Sequence, residues 1–422
     1  MRRSTKNAVS RWERGVVQPS DRYKAQLCLV YNVGSPEELG WDSLPGLLSE
    51  IDKLEKRLPS EPPGAIATYV PLEDSLHLHR PFDPSRRATL RRLLTTAATA
   101  IAAPQAFAGA DLWERLSAGA RNPGAMTSDT CRSLGQLLVS CWQLSNHGSL
   151  EVADQVLVGV LPQLMDLASR DREAAKLTAH GLRLRSILSA HFLRVSDKIA
   201  LCQRAVDYAR LSGDPSAYTA ALTELAVGYK YAQSPMKSLA VYEAALKTCD
   251  QASPLLGSRV HAAAAAAYAQ AGRAADARRH IRTAYTIFPS APERDLTYPV
   301  ADTGMYLVAF YEGVMHLAQG EPGEADRALS EYWKHPSAGQ TPDRNKLEIV
   351  NQRARTAIHL NDLESYAHHL EHALVGSVSI MSRKRFDEAL TTFRQEVPST
   401  WMNEPAIKSL NEQYQLTASN RM

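Results

Sequence analysis

Few constellations in this sequence have residue types and spacing that could do chemistry. The strongest is His368-His369-Leu370-Glu371-His372. On a helix His368 and His372, four apart, share a face, and two imidazoles can begin a zinc site. A third or fourth ligand is needed, and the sequence nominates none, so a solvated helix face is the expected reading. His77 and His79 sit in a proline-rich stretch and make a weaker pair. The five cysteines (Cys28, Cys131, Cys141, Cys202, Cys249) are odd in number, lack CxxC spacing, and fall in apolar, helix-like runs. Free buried thiols in a reducing compartment are expected of them. Adjacent carboxylates such as Glu37-Glu38 suit a helix amino terminus, whose positive dipole end stabilises them, better than an acid–base pair. The sequence contains no GxxxxGK[ST] phosphate loop, no GxGxxG opening a helix, no HExxH and no GxSxG. The expectation is a protein that is not an enzyme and carries no catalytic residue, metal or cofactor.

Charge points in the same direction. The 422 residues carry a formal net charge of only +3, which argues against a chain that coats nucleic acid along its length. The first thirty residues are an exception: Arg2, Arg3, Lys6, Arg11, Arg14, Arg22 and Lys24 face only Glu13 and Asp21. Apolar residues at 44% and charged residues at 22% are ordinary globular usage, so wholesale disorder is not expected. No stretch reaches the ~18–20 uncharged apolar residues that a membrane helix requires. The run from Ser85-Arg86-Arg87 to Ala106-Phe107-Ala108 imitates a twin-arginine export signal, but it is internal and interrupted by Arg91, Arg92 and threonines. A packed helix with a basic start, in a cytoplasmic protein without membrane contact, is expected.

The elements that would position any site are helical. Residues 56–86 hold Pro59, Pro62, Pro63, Pro71, Pro81 and Pro84 and lack periodicity, as a linker would. From about residue 85 to 398 apolar residues recur at helical spacing with breaks at Gly or Pro, and no alternating strand pattern appears. Internal repetition is the clearest signal. Around Tyr268 stand Ala265, Gly272, Ala277, Ile281, Ala284 and Pro289. This order is similar to the tetratricopeptide repeat, in which small residues let two antiparallel helices approach, an aromatic fills the seam, Gly makes the turn and Pro stops the second helix. Ala226, Tyr229, Ser238, Tyr242 and Ala245 echo it 39 residues earlier, with Gln233 at the glycine place and Asp250 at the proline place. Gly313, His316, Gly320, Ala325 and Leu329 echo it afterwards, following an insertion at about 289–302. Looser copies are expected near 174–212 and 343–376, a helix pair near 128–169 and a last helix near 380–395. The expected fold is all-α: a right-handed solenoid of tetratricopeptide-like helical hairpins over 87–422, after a short helix and proline-rich linker at 43–86. The alternative is an irregular helical bundle.

Residues 1–42 carry a second resemblance. Val9-Ser10-Arg11-Trp12-Glu13-Arg14-Gly15, Pro19-Ser20, the apolar Leu27, Leu29 and Val30, and Ser35-Pro36-Glu37-Glu38-Leu39 resemble the second half of an Xre/Cro-type helix-turn-helix domain. The resemblance implies a recognition helix ending in Ser10–Gly15 whose front end enters the DNA major groove. Carried over by position, Lys6, Asn7 and Arg11 face base edges with Ser10 nearby, and Arg14, with Arg2 and Arg3, is available to phosphates. Val9 and Trp12 would face that domain's core. In the family two helices precede the recognition helix, whereas this sequence begins almost at it. An upstream start, a decayed gene, and a remnant docked on the repeats without binding DNA all remain open.

Together the two resemblances are similar to actinobacterial Xre/Cro-type regulators with a carboxy-terminal tetratricopeptide domain. They imply a transcriptional regulator that binds DNA, with a homodimer on a two-fold operator as one arrangement the resemblance suggests, and whose repeats sense a peptide or protein. The alternative is a repeat-only adaptor without DNA binding. The repeat register implies an inner face with Thr223, Val227, Lys230 and Tyr231, then Arg259, Ala262, Ala266 and Gln270, then Phe310, Val314 and Leu317. Val227, Lys230, Tyr231, Arg259, Phe310 and Val314 are the expected groove residues. Their mostly apolar character suits an apolar peptide or an amphipathic helix. A terminal helix or a second subunit covering the face is the competing reading.

Overall fold

The computed structural model describes residues 128–334, 339 and 341–419. The amino-terminal Lys6, Asn7, Ser10, Arg11 and Arg14, the thiol of Cys28, the linker with His77 and His79, and the 85–108 run lie outside the described residues. The described residues are helical, and no strand occurs among them. In order the helices are α1 (Ser128–Asn146), α2 (Leu150–Ala168), α3 (Arg172–His191), α4 (Val195–Ser212), α5 (Pro215–Tyr231), α6 (Pro235–Leu246) and α7 (Pro254–Gln270). They continue with α8 (Ala274–Ile287), α9 (Met305–Ala318), α10 (Pro322–Tyr332), α11 (Asp343–His359), α12 (Leu363–Ser379), α13 (Arg383–Thr391) and α14 (Pro405–Ser419). The 289–302 insertion folds as a 3-10 turn, Pro292–Arg294, and a single helical turn, Tyr298–Ala301.

Local sequence explains where these helices start. Pro215, Pro235, Pro254 and Pro322 occupy first positions, where the missing N–H is no loss and the fixed φ suits the helix. Side chains add caps: Asp171 accepts from Ala174 N at 2.7 Å, Asp214 from Ala217 N at 2.8 Å and Asp362 from Ser365 N at 3.0 Å.

One turn recurs between helices. In each of seven described turns a backbone N–H reaches five residues back at 2.8–3.0 Å: Ser149 to Leu144, Arg194 to Ser189, Ser234 to Tyr229, Arg273 to Tyr268, Glu321 to His316, Asp362 to Ala357 and Ser382 to Ser377. The residue before each donor has positive φ: Gly148, Leu193, Gln233, Gly272, Gly320, Asn361 and Met381. This is the left-handed closure that satisfies orphan carbonyls at a helix end. Leu193, Gln233 and Met381 adopt it at a steric cost of about 1 kcal/mol each. Exchange of exposed Gln233 or Met381 for glycine is expected to raise stability by a net ~0.5 kcal/mol per site, glycine's extra chain entropy offsetting part of the gain. The midpoint of urea unfolding would read this, and a lowered midpoint would contradict it.

The hairpins close on small residues. In the α7–α8 hairpin Ala265, Ala277 and Ala284 are fully buried and Tyr268 is nearly so. Tyr268 stacks on His280 at 5.1 Å between centroids and lies under Arg273 at 4.4 Å. Ser258 Oγ donates to Ala284 O, and Ser238 Oγ donates to Ala226 O, both at 2.8 Å. These bonds tie paired helices through buried hydroxyls. Successive helices from α1 to α13 pack on one another, α14 packs on α12, and the odd-numbered helices form a second series, each touching the next from α1 to α13. The series returns on itself, because α13 also touches α3. His191 at the end of α3 and Ser382 just before α13 are bonded at 2.8 Å (Nδ1 to Oγ). The odd-numbered helices thus surround most of an interior to which the starts of α4 and α6 also contribute.

Candidate partner-binding groove and its ionic floor

Where the odd-numbered helices face one another they leave a groove of about 700 Å³. One wall is apolar and aromatic. Lys230 and Tyr231 end α5, Ala267 and Gln270 end α7, and Phe310 and Val314 come from the middle of α9. Lys230 lies over the Phe310 ring at 6.0 Å, so its ammonium is held against the aromatic wall rather than in open water. Burial pushes that ammonium's pKa down, and Glu348 and Glu388 only partly oppose it. Leu193 and Met236 stand at the rim with 43% and 71% exposure. The opposite wall is polar, built from Glu348, Asn351 and Arg355 of α11 and Lys384 and Glu388 of α13.

Below the groove lies a smaller pocket of about 50 Å³ whose wall is charged. A chain of buried ions runs through it. Lys198 of α4 bonds Glu224 of α5, which also receives Arg259 Nη2 of α7 at 3.2 Å. Arg259 Nη1 donates to Ala301 O at 2.6 Å, and its Nη2 lies 3.9 Å from Asp302. Asp302 in turn accepts from Arg344 Nη2 of α11 at 2.5 Å. Arg344 reaches on to the end of α1, at Ser145 Oγ (3.3 Å) and Asn146 Oδ1 (2.8 Å). The insertion before α9 thus supplies both Asp302, held at φ 51°, and the carbonyl oxygens that bind two arginines, since Arg183 Nη1 donates to Val300 O at 3.2 Å.

A second group joins the pocket to the groove. Arg385 donates to Glu348 and Glu388, both at 2.6 Å. Lys384 Nζ donates to Tyr231 Oη at 2.5 Å and pairs with Glu388 at 3.2 Å. The Tyr231 ring also lies under the ammonium of Lys384 at 4.1 Å and of Lys198 at 5.6 Å.

These surroundings shift the titrations. Burial alone would raise Glu224, but Lys198 and Arg259 outweigh it and hold the carboxyl down at about 2. Burial lowers Lys384 to about 8, helped by Arg385 and opposed by Glu388 and Glu348. Burial, followed by Lys384, Arg385, Arg344 and Lys198, keeps His191 far below its ordinary value and neutral.

Among the expected groove residues, Lys230, Tyr231, Phe310 and Val314 line the groove, together with Gln270. Val227 and Arg259 lie one layer deeper, in the wall of the charged pocket. Thr223 faces neither cavity, because it is buried and its hydroxyl donates to Thr219 O at 2.8 Å. Ala262 and Ala266 are buried in the core. The polar wall of α11 and α13 was not legible from the repeat register. Its one sequence signal is polar residues at helical spacing, Glu348, Asn351, Gln352 and Arg355, in a stretch where a repeat should bury apolar ones.

His368 and His372 share a helix face as their spacing requires, with ring centroids 4.3 Å apart. Among the described residues no three His, Cys, Asp or Glu side chains gather into a group that could hold a metal ion. Cys141 and Cys202 are buried free thiols, and burial pushes both upward, to about 12 and about 11. No described helix is long and apolar enough to cross a membrane. No protein-family model matches the chain, and no curated protein does.

Proposed function

We propose that the protein is a transcriptional regulator whose tetratricopeptide-type repeat domain binds an amphipathic peptide or protein segment in the groove and thereby modulates DNA binding by the amino-terminal segment. The observation that carries the sensing part is the pairing of two unlike walls. Phe310, Val314 and the rim residues Leu193 and Met236 offer apolar contact, and α11 and α13 offer charged groups directly across. A helical segment with one apolar and one polar face satisfies both. The groove carries the carboxylates Glu348, Asp387, Glu388 and Glu396 against Lys230, Arg355 and Lys384, so a basic polar face fits better than an acidic one. An occupant that bridges α9 and α13 would fix the distance between distant turns of the stack, which gives its binding a structural consequence elsewhere.

The DNA-binding part rests on the resemblance of residues 1–42. Its test is a mobility shift on DNA from the protein's own promoter region at several salt concentrations. The expected result is a shift that weakens steeply with salt, because phosphate contacts release counterions, and that is lost on Arg11→Ala. The absence of a shift at low salt would remove DNA binding from the account. The adaptor reading would then stand, and one observation favours it: every described residue of the groove falls within 190–396, so both of its walls come from the repeat region.

A further inference from the structure

We infer that the charged pocket beneath the groove is a binding site for a tetrahedral oxyanion, phosphate either free or as a monoester. The inference does not depend on a peptide occupying the groove above. Among the described residues, the pocket wall holds five Lys or Arg side chains, Lys198, Arg259, Arg344, Lys384 and Arg385, against three carboxylates, Glu224, Asp302 and Glu348. Including the neighbouring Arg183 and Glu388 leaves the same surplus of two positive charges. Lys198, Arg259, Arg344 and Arg385 are at most 5% exposed, and buried cations without counter-charge are retained only at a large desolvation cost.

The donors are also incompletely used. Arg259 Nε and Arg385 Nε, both buried, have no hydrogen-bond partner, and neither do Nε and Nη2 of Arg183. Buried guanidinium nitrogens are normally satisfied by protein, water or a ligand. Arg259 and Arg385 stand in the pocket wall, and their planar forks suit phosphate oxygens. The volume is adequate: about 50 Å³ is room for about four waters, the space one tetrahedral oxyanion displaces. The neutral state of His191, set by burial and then by four surrounding cations, agrees with a positive potential there. An entry exists as well. Ala190, Tyr231, Glu348 and Lys384 belong to both cavities, so a free ion can pass through the groove, and an ester can leave its organic part in it.

The test is calorimetric titration of the full chain with inorganic phosphate and, separately, with phenyl phosphate, in chloride buffer at pH 7 and fixed ionic strength. The expected result is saturable binding of one ion per chain with Kd below about 1 mM. Tighter binding of phenyl phosphate identifies an ester whose ring occupies the groove; equal or weaker binding identifies the free ion. Lys384→Met, which removes one cation at the entry, should weaken binding by about tenfold. Asp302→Asn, which raises the surplus, should strengthen it by about threefold or more. If that variant is too unstable to titrate, phosphate should raise its unfolding temperature more than that of the wild type, as ligand linkage requires. A merely structural role for Asp302 would not tighten anion binding. No saturable heat with either probe on the folded wild-type chain, or binding that neither variant alters, would overturn the inference.

Discussion

Glu224→Gln is expected to destabilise the protein by about 3–5 kcal/mol, the cost of breaking a buried ion pair from one side. Glu224 is 2% exposed and is the shared anion of Lys198 and Arg259, which are equally hidden. Glutamine keeps the volume but removes the charge and replaces one of the two acceptor oxygens by a donor, so both buried cations lose their counter-charge and one of them its hydrogen bond. Arg327→Gln is the matched control. Its partner Glu324 is half exposed, as is Arg327 itself, and such surface pairs contribute about 0–1 kcal/mol. Urea unfolding of both variants should separate them clearly, and equal small losses would show that the ion chain contributes little. The same carboxylate gives a pH signature. Its pKa falls from the ordinary 4.5 to about 2 on folding, so its contribution is present above about 4.5 and is lost as pH falls from there toward 2. In the wild type the acid side of the stability profile should be steep in this window, and Glu224→Gln should flatten it.

Gly313→Ala is expected to cost about 1–3 kcal/mol, the usual range for overpacking a filled interior. A methyl at this position of α9 would lie 2.6 Å from Leu329 Cγ and 2.8 and 3.1 Å from its two methyl carbons. Leu329, in α10, is fully buried, so the isobutyl group as a whole would have to move into occupied space. Gly376 makes a useful contrast. The nearest clash there is with a methyl tip of Leu347 at 2.3 Å, the remaining contacts being 3.4 Å or more, so rotation of one side chain can relieve it. The expected order is a larger loss for Gly313→Ala than for Gly376→Ala. The double variant Gly313→Ala with Leu329→Ala should lose less than the sum of its parts, since each change makes room for or fills the other's defect. Strict additivity would contradict the contact as the cause.

The helical class was legible in the sequence because apolar spacing and turn residues agree over most of the described chain. The repeat was clearest where its turn is made by glycine. Gly272 and Gly320 mark their turns openly, whereas Leu193, Gln233 and Met381 adopt the same backbone through residues that carry no turn signal. The looser match of the segments away from Tyr268 thus coincides with turns of the same geometry made by residues without a turn signal. Lys230, Tyr231, Phe310 and Val314 were accessible because the register set by Tyr229 and His316 assigns them to the inner face of their hairpins. Arg259 shared that register but turns inward, held by Glu224 and Ala301 O. No periodicity could reveal that, because the partners come from two separate elements, one of them the irregular 289–302 insertion. The polar wall was hidden for a related reason: it exists only because α13 returns to α3, a contact between residues nearly two hundred positions apart.

In the proposed function the groove holds an amphipathic segment by its apolar wall. The most direct measurement is selection of a random peptide library on the purified full chain, followed by affinity measurement of enriched peptides against wild type, Val314→Glu and Met236→Glu. Met236 is a rim residue whose exchange leaves the core intact, and the unfolding temperature of Val314→Glu reports on its fold. The enriched peptides are expected to carry apolar residues at helical spacing and a basic opposite face, and to bind both variants at least about tenfold more weakly. Failure to enrich any such peptide, or enriched peptides that bind both variants as well as the wild type, would contradict that function.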